Sequence, residues 1–501
     1  MKHKIVLAIL AVTLTLSSCS DSFFDINTNP NRPTKPAVLP QYLLPMVIKQ
    51  TAYRMGTQYS WAGFWTGYYG RGADFGNSLP LENYQITTSF QLTQWANFAN
   101  SSTWFDVLND ATLMASLGEE SQEPFYVAVA KVMRSIGFMY LVDMYNNVPY
   151  SEALNVNSSM APAYDKGPDV YKGLLTELEE ARAIFKTIQE VSVSAAAADV
   201  LFQGDLVKWR KLANTQSLKL LIHQSEVVNN PSADLAKITA DGSGFITAGN
   251  SATLSIPFSN NVDQVNPVYF EYVANQSGIA TDGFTRVSNY LLNRYIDNND
   301  IRYQYLFLPA LNPFDPSKPW MGADFGAPPN SDLQSSRQSV VVGTGILKDG
   351  AEPLWLFTSM ESLFLQAEAI QRGWLEGDAK LAYETAVKES FKWLEIPAAE
   401  TEANQVLAGY ANWNVASNKL ELIINQKYLS LPSINNFEAY VDYRRLGFPK
   451  DVPLSKIPNL NGNKVPLRLM YPQTEYNYNN TNVVAEGEID PQKSRIFWDV
   501  E

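Results

Sequence analysis

The side chains that most often carry out catalysis or hold metals are scarce in this 501-residue sequence. It contains one cysteine, Cys19, and two histidines, His3 and His223. His3 lies in a basic N-terminal run, just before an apolar stretch typical of a cleaved export signal. A Ser-His-Asp triad or a histidine metal site would therefore have to use His223, which lies in an amphipathic-helix pattern at 218–223 and is expected to be structural. Carboxylate chemistry remains available, because Asp and Glu together number 51.

Cys19 lies where a lipid anchor would be attached. Residues 1–4 are basic, residues 5–16 are apolar, and the small residues Ser17 and Ser18 come directly before Cys19. This order is typical of a secretory signal, and the apolar run is shorter than the about 20 residues that span a bilayer. Leu16-Ser17-Ser18-Cys19 resembles a bacterial lipobox, and this resemblance implies cleavage before Cys19 and diacylation of that residue. We therefore predict a signal peptide at 1–18. The alternative is an ordinary signal peptide in which the cysteine has no role.

Composition excludes several classes of function. The formal net charge is -13 at pH 7, and it becomes about -15 once Lys2 and Lys4 leave with the signal. Such acidity argues against binding nucleic acid, or an anionic surface, through a basic patch. No second apolar stretch approaches membrane-spanning length, so the lipid is the expected membrane anchor. A lipidated Cys19 leaves no thiol for a disulfide or zinc, and we expect no metal and no cofactor.

Helical periodicity dominates the elements that would position a site. Apolar residues recur at i, i+4, i+7 and i+11 from Leu174 to Phe185, which predicts one buried face of a helix. Helical runs that follow one another across short breaks, with small residues such as Ala382 and Ala386 four positions apart, suggest packed helix pairs of the tetratricopeptide type. Further helical runs are predicted at 124–143, 206–228, 354–375, 379–394 and 420–431.

Between 241 and 345 the pattern changes to Gly, Pro, Asn and Ser with short apolar pieces, which predicts irregular surface structure. With 46% apolar residues the chain can bury a large core, and no linker divides it. We therefore predict a mainly α fold, in which a tetratricopeptide-like scaffold of helix pairs carries a loop-rich part with a few short strands. The parts would be the signal peptide 1–18, a lipidated tether 19–40 and a single domain 41–501.

Two ring-rich segments are candidates for binding a sugar, because aromatic rings pack on the C–H faces of sugars while hydroxyls need polar partners. The first contains Trp61, Trp65 and Tyr69 among glycines that favour an exposed course. Arg71 and Asp74 follow and would contact hydroxyls. The alternative is that these rings, spaced i, i+4 and i+8, form the buried face of a helix.

The second candidate is Trp320, which lies between Pro319 and Gly322, outside any helical period, with Asp324 nearby. Its loop position favours exposure, and the alternative is a lid residue anchored on the scaffold. We predict that Trp320 and rings of the first segment form an exposed aromatic platform. Arg71, Asp74 or Asp324 would contact hydroxyls beside it.

Six blocks in chain order resemble one protein family. They lie at 18–30, 136–150, 204–214, 426–428, 443–449 and 466–477. The fifth block reads Tyr443-Arg444-Arg445-Leu446-Gly447-Phe448-Pro449. On these blocks the chain resembles, nearly end to end, the SusD/RagB family of Bacteroidetes outer-membrane lipoproteins, in its SusD-like branch.

That resemblance implies a mostly helical fold, in which four tetratricopeptide-like helix pairs carry an irregular, ligand-facing part. It also implies a lipoprotein on the cell exterior that caps a SusC-like TonB-dependent β-barrel transporter and captures a nutrient, usually a glycan. The family has no catalytic motif to carry over, and its ligand contacts vary too much to transfer by position. The matching blocks are mostly scaffold, where Trp209, Arg444, Tyr471 and Pro472 are interpreted as packing and turn residues.

Three functions remain in competition. The leading hypothesis is a non-catalytic receptor that delivers a glycan, or less often a peptide, to a transporter. The second is a surface glycoside hydrolase, which would need two carboxyl groups about 5–10 Å apart across a cleft. The third is a structural transporter lid that makes no ligand contact of its own.

Overall fold

The structure is a computed structural model that describes residues 38–95, 102–155, 159–458 and 464–500. Cys19, the predicted signal peptide and nearly all of the predicted tether lie outside these residues. Their roles, and the division into 1–18, 19–40 and 41–501, stay predictions.

The N-terminal half of the described chain is mostly helical. Its elements are α1 (Pro40–Thr57), α2 (Ser60–Trp65), β1 (Tyr69–Arg71), α3 (Leu79–Glu82), α4 (Trp104–Glu120), α5 (Pro124–Tyr145), α6 (Gly167–Thr187), α7 (Val193–Ala198), α8 (Leu206–His223) and α9 (Ser232–Asp241). Side chains cap two of the long helices: Thr103 and Asp106 form a capping box at the start of α4, and Asp205 accepts amide hydrogen bonds at the start of α8.

Shorter elements follow, and then a second helical part. The short elements are β2 (Ala252–Thr253), α10 (Pro267–Tyr272), β3 (Thr285–Val287), α11 (Asn289–Ile296), α12 (Tyr303–Leu306) and β4 (Trp355–Phe357). The later helices are α13 (Ser359–Gln371), α14 (Ala379–Trp393), α15 (Ala399–Ala408), α16 (Lys419–Ser430), α17 (Asn436–Leu446), α18 (Gln473–Tyr478) and α19 (Asn480–Ala485). Single 3-10 turns lie at Leu92–Gln94 and Ser335–Arg337.

The predicted fold class is confirmed, with differences at some element ends. The helix predicted around Leu174 to Phe185 is α6, whose buried face contains both residues. Neighbouring helices pack in sequence, α4 on α5, α5 on α6 and α13 on α14, as helix pairs do. The prediction of one helix at 354–375 is wrong, because Trp355–Phe357 forms strand β4 and the helix begins at Ser359. A short apolar run before a Thr cap can be either a buried strand or the first turn of a buried helix, because both contain the same residue types.

Helix α5 corrects the expectation that no second apolar stretch reaches membrane-spanning length. Pro124–Tyr145 is long and apolar enough to cross a membrane, by length and composition alone. In the protein it is a core helix, since 83% of its most apolar window is buried. Its neighbours α4 and α6 cover it on both sides, so its all-round hydrophobicity reflects burial in a large core.

Two small antiparallel pairs and several tyrosine hydroxyls join the irregular part to the helices. β1 pairs with β3, with Gly70 opposite Arg286, and β2 pairs with β4. The hydroxyl of Tyr68 donates to the carbonyl of Tyr428 at 2.5 Å, and that of Tyr295 donates to the carbonyl of Leu429 at 2.5 Å. The irregular part is therefore fixed to α16 through backbone acceptors.

A buried group of charged side chains lies where five helices meet. Lys219 donates to Glu361 at 2.6 Å and lies 2.7 Å from Glu438, which also pairs with Lys427. His223 lies between Asp143, at 2.9 Å, and Glu438, at 3.2 Å. We call this group the charge cluster; its members are Asp143, Lys219, His223, Glu361, Lys427 and Glu438. It joins α5, α8, α13, α16 and α17, and the prediction that His223 has a structural position agrees with its complete burial.

Candidate functional site

The aromatic cluster formed by Trp61, Trp65 and Tyr69 lies in the core. All three side chains are at most 1% exposed. Trp61 packs edge-on against Trp65 at 4.8 Å and against Tyr440 of α17 at 5.3 Å. The prediction that these rings form an exposed platform is therefore wrong, and the alternative of a buried helical face is confirmed for Trp61 and Trp65.

The glycines of this segment have a packing role that explains the error. A Cβ atom on Gly63 would lie 2.6 Å from the ring of Tyr69, and one on Gly70 would lie 2.7 Å from the carbonyl oxygen of Ala323. These positions need glycine because other groups approach the backbone closely. The glycines therefore reflect close packing and not the exposed course that the sequence predicts.

Arg71 is buried below the loops and does not face solvent. Its Nε atom lies 3.0 Å from Glu82, and its other nitrogens donate to Asn77 and to carbonyls that include those of Gly72, Phe75 and Ala327. Only 3% of the residue is exposed. The prediction that Arg71 contacts hydroxyls of a ligand is therefore wrong. Instead, its guanidinium group connects two loops through these hydrogen bonds.

Trp320 lies at the surface, half-buried, in a segment outside any helix. Its ring packs edge-on against Tyr303 of α12, with centroids 4.9 Å apart. The segment is fixed to the start of α11: Gly322 donates its amide to Asn289 Oδ1 at 3.1 Å, and Asn289 donates its amide to the carbonyl of Ala323 at 3.0 Å. Trp320 thus combines partial exposure with a supported orientation.

Asp324 lies on the same segment as Trp320 and is also part-exposed. Asn289 Nδ2 donates to it at 2.8 Å, and Lys456 Nζ lies 2.5 Å away. Partial burial raises the pKa of Asp324, but the hydrogen bonds from Lys456 and Asn289 outweigh burial and lower the pKa below its usual range. The carboxylate is therefore charged at neutral pH and available as a hydrogen-bond acceptor.

Asp74 belongs to the same layer of loops as Trp320. Its carboxylate is exposed and accepts the amide hydrogen of Ser335 at 2.9 Å. Gln338, which is buried, connects the two loops: its Oε1 accepts from the amide of Ala73 at 3.0 Å, and its Nε2 donates to the carbonyl of Gly322 at 3.4 Å. The structure therefore brings Asp74 close to the Trp320 segment, although 246 residues of sequence separate them.

Two exposed rings near this layer were missed by the sequence analysis. Phe314 is 59% exposed, and the Arg337 guanidinium lies over its ring at 4.0 Å. Phe75 is 38% exposed and packs edge-on against Phe284 at 5.7 Å. The signal for Phe314 was its place in the proline-rich run 312–320, where a large apolar side chain has no helical face to join.

We call this arrangement the Trp320 surface; its members are Asp74, Phe75, Phe314, Trp320 and Asp324. Backbone and side-chain contacts of segment 335–338 connect its loops, including a hydrogen bond from the amide of Asn312 to the carbonyl of Ser336 at 2.8 Å. Rings with nearby carboxylates are the groups that a sugar needs. Within the described ranges, no three His, Cys, Asp or Glu side chains are placed to hold a metal ion.

Comparison with protein families gives one match, which covers most of the chain. The sequence model of a SusD-like family, described as starch-binding and associating with the outer membrane, matches residues 27–472. No curated protein matches the sequence.

Solved structures share the fold at low sequence identity. A SusD homologue from Bacteroides fragilis superposes with a TM-score of 0.72 at 24% identity, covering 92% of this chain and 99% of its own. A Bacteroides vulgatus structure, named for an expected role in nutrient binding at the outer membrane, gives 0.70 at 24% identity, with coverage of 92% and 100%. A chitin-binding protein gives 0.72 at 24% identity, with coverage of 92% and 99%. At these identities the likeness establishes the fold alone.

Proposed function

Because this chain belongs to the SusD-like family, whose members associate with the outer membrane, we propose that it is a cell-surface lipoprotein that captures a glycan and delivers it to a SusC-like TonB-dependent transporter. The observation that carries the proposal is Trp320. It is a large ring, part-exposed on an irregular loop, with a second ring supporting it edge-on and a charged carboxylate four residues away.

The chemistry of the Trp320 surface favours a sugar over a purely apolar ligand. Trp320 and Phe314 offer ring faces or edges to C–H groups, while Asp324 and Asp74 offer acceptors for hydroxyl hydrogens. The loops are fixed by backbone hydrogen bonds before any ligand arrives, which lowers the entropy that binding would cost. The choice of starch, chitin or another glycan is left to experiment, since the relatives' ligands differ.

Delivery requires a partner, because no step in crossing the membrane can be assigned to this domain. Purification under mild detergent from the native outer membrane should recover a large β-barrel protein with the chain. Recovery of the lipoprotein alone would contradict a stable complex. A tagged, unrelated outer-membrane lipoprotein from the same cells is the control for non-specific capture.

A panel of soluble glycans tests capture itself. The purified chain should bind at least one oligosaccharide without changing it, and Trp320→Ala should weaken that binding. The appearance of new reducing ends would favour the surface hydrolase instead. No binding to any glycan by the wild-type chain, together with recovery of a barrel partner, would favour the structural lid.

A further inference from the structure

A second pocket lies away from the Trp320 surface and shares no residue with it. Its volume is about 460 Å³, within the range of small-molecule sites. It lies between helix α1 and the segment 256–267. We call it the Tyr53 pocket, and its lining includes Lys49, Gln50, Tyr53, Phe258 and Asp263.

One wall of the pocket is a row of polar side chains on α1. Lys49, Gln50 and Tyr53 point to one side of the helix, and all three are half-buried. Among the described residues, none of these side chains has a hydrogen-bond or ion-pair partner. The opposite wall offers Asp263, whose carboxylate is exposed and likewise has no partner within the described part of the chain. Four polar groups of different kinds therefore line one concave space.

The opposite wall is rigid. Ser259 and Gln264 close a turn through an amide-to-carbonyl bond of 2.9 Å and a side-chain bond of 2.7 Å. Asn266 then caps α10 and donates to the carbonyl of Glu352 at 2.9 Å. Asp263 lies within the turn at φ +59°, a left-handed conformation that the surrounding bonds maintain. Because this wall is already ordered, binding a ligand there would cost little conformational entropy of the protein.

The chemistry of the two walls selects the class of ligand. Tyr53 supplies an aromatic ring, and the buried Phe258 adds apolar surface on the opposite wall. Lys49 and Gln50 can donate hydrogen bonds, and Asp263 and Gln50 can accept them. A hydrocarbon would leave these groups unpaired, while an anion would be attracted by Lys49 but repelled by Asp263, and the reverse holds for a cation. A neutral polyhydroxylated ring satisfies all of them.

We propose that the Tyr53 pocket is a second saccharide site, which takes a neutral disaccharide or the end of a longer glycan. The choice of carbohydrate as the ligand class rests on the proposed function, whereas the pocket and its unpaired groups do not. The chain then holds a glycan at two separate places, the Trp320 surface and this concave pocket.

Titration of the full chain with short saccharides tests the proposal. The probes are maltose and N,N′-diacetylchitobiose, each too short to need two separated sites. For whichever of the two disaccharides binds, Tyr53→Ala and Asp263→Asn should each raise the dissociation constant about tenfold. This is the order expected for loss of one ring or one charged acceptor. Tyr42→Ala is the matched control, since Tyr42 lies on the same helix, 60% exposed and outside the pocket, and should change nothing.

A labelling experiment keeps the test independent of any folding defect in these variants. Cys19 is the only cysteine in the sequence, so Cys19→Ser with Val262→Cys leaves one thiol, on an exposed residue next to Asp263 of the pocket lining. Saturating disaccharide should slow its reaction with a maleimide several-fold, and Trp320→Ala should not abolish that protection.

The outcomes separate this inference from the proposed function. Unchanged affinity in Tyr53→Ala and Asp263→Asn, with no protection of the thiol, would overturn the second site even if Trp320→Ala weakens glycan binding. Absence of disaccharide binding to the wild-type chain at millimolar concentration would overturn it as well, whatever longer glycans bind. Loss of longer-glycan binding in Trp320→Ala alone would leave the proposed function standing.

Discussion

At the scale of single residues, two tryptophans that look alike in the sequence differ in how far they are exposed to solvent. Trp61 and Trp320 both come from ring-rich or proline-rich segments, yet Trp61 is 1% exposed and Trp320 is half-buried at the surface. A buried ring contributes to folding through its contacts, whereas a supported surface ring is free to contact a ligand. Substitution of each should therefore affect a different measurement.

Trp320→Ala should weaken glycan binding by about 1–3 kcal/mol, the order for removal of one stacking ring, with little change in the melting temperature. Trp61→Ala is the matched control and should instead lower stability by about 3–5 kcal/mol. Isothermal titration and thermal melting of both variants check this. A lower melting temperature with unchanged affinity in Trp320→Ala would identify Trp320 as part of the scaffold.

His223 should make stability depend on pH. Burial lowers the pKa of His223, but the carboxylates of Glu438 and Asp143 outweigh burial and raise the pKa above its ordinary value. The stabilisation is complete below the unfolded-state pKa of about 6.5 and is lost as the pH rises through the folded-state pKa. The difference in unfolding free energy between wild type and His223→Gln should therefore shrink from pH 6 upward. Urea unfolding at several pH values measures it, and a constant difference would contradict the charged state of His223.

At the scale of elements, a buried ion pair positions the loops of the Trp320 surface. Arg71 at the end of β1 pairs with Glu82 at the end of α3, and the same guanidinium holds the loops near Asn77 and Ala327. Removal of one partner from a buried pair leaves an uncompensated charge. The loops should then lose their fixed spacing as well as their stability.

Glu82→Gln should lower the free energy of unfolding by about 3–5 kcal/mol and weaken glycan binding in the same variant. Lys456→Gln is the matched control for stability, because the Lys456–Asp324 pair is part-exposed and should contribute under about 1 kcal/mol. Chemical unfolding and titration give both values. Equal stability losses in the two variants would argue against a special role for the buried pair.

The sequence predicted elements better than it predicted their surfaces. A periodic apolar face identified α6, because an amphipathic helix carries its own burial pattern, and the helical runs at 124–143 and 379–394 identified α5 and α14. The spacing of Trp61 and Trp65 could not show that Phe437 and Tyr440 of α17 cover them, since those rings are distant in sequence. Gln338 could not be connected to Gly322 and Ala73 for the same reason.

At the scale of the whole molecule, the proposed attachment to the membrane depends on one residue, Cys19. Cys19→Ala should leave the protein soluble or uncleaved, because buried acyl chains supply the anchoring at about 0.8 kcal/mol per methylene. Fractionation of cells after a salt wash measures this. The experiment needs a strain without the transporter partner, since that partner could retain the variant. A variant that still sediments with the outer membrane in that strain would contradict lipid anchoring at Cys19.

The tyrosine hydroxyls that fix the irregular part to α16 have a consequence for how this protein can change over generations. Tyr68 and Tyr295 donate to the carbonyls of Tyr428 and Leu429, and a carbonyl is present whatever amino acid occupies the position. A mutation at Leu429 therefore keeps the accepting carbonyl as long as the new side chain fits, whereas a mutation at Tyr428 keeps the carbonyl but removes the hydroxyl that donates to the carbonyl of Thr66 at 2.9 Å. The backbone acceptors thus keep the two parts joined while side chains on that side of the junction change. An architecture held in this way can persist in relatives that share only 24% of their residues.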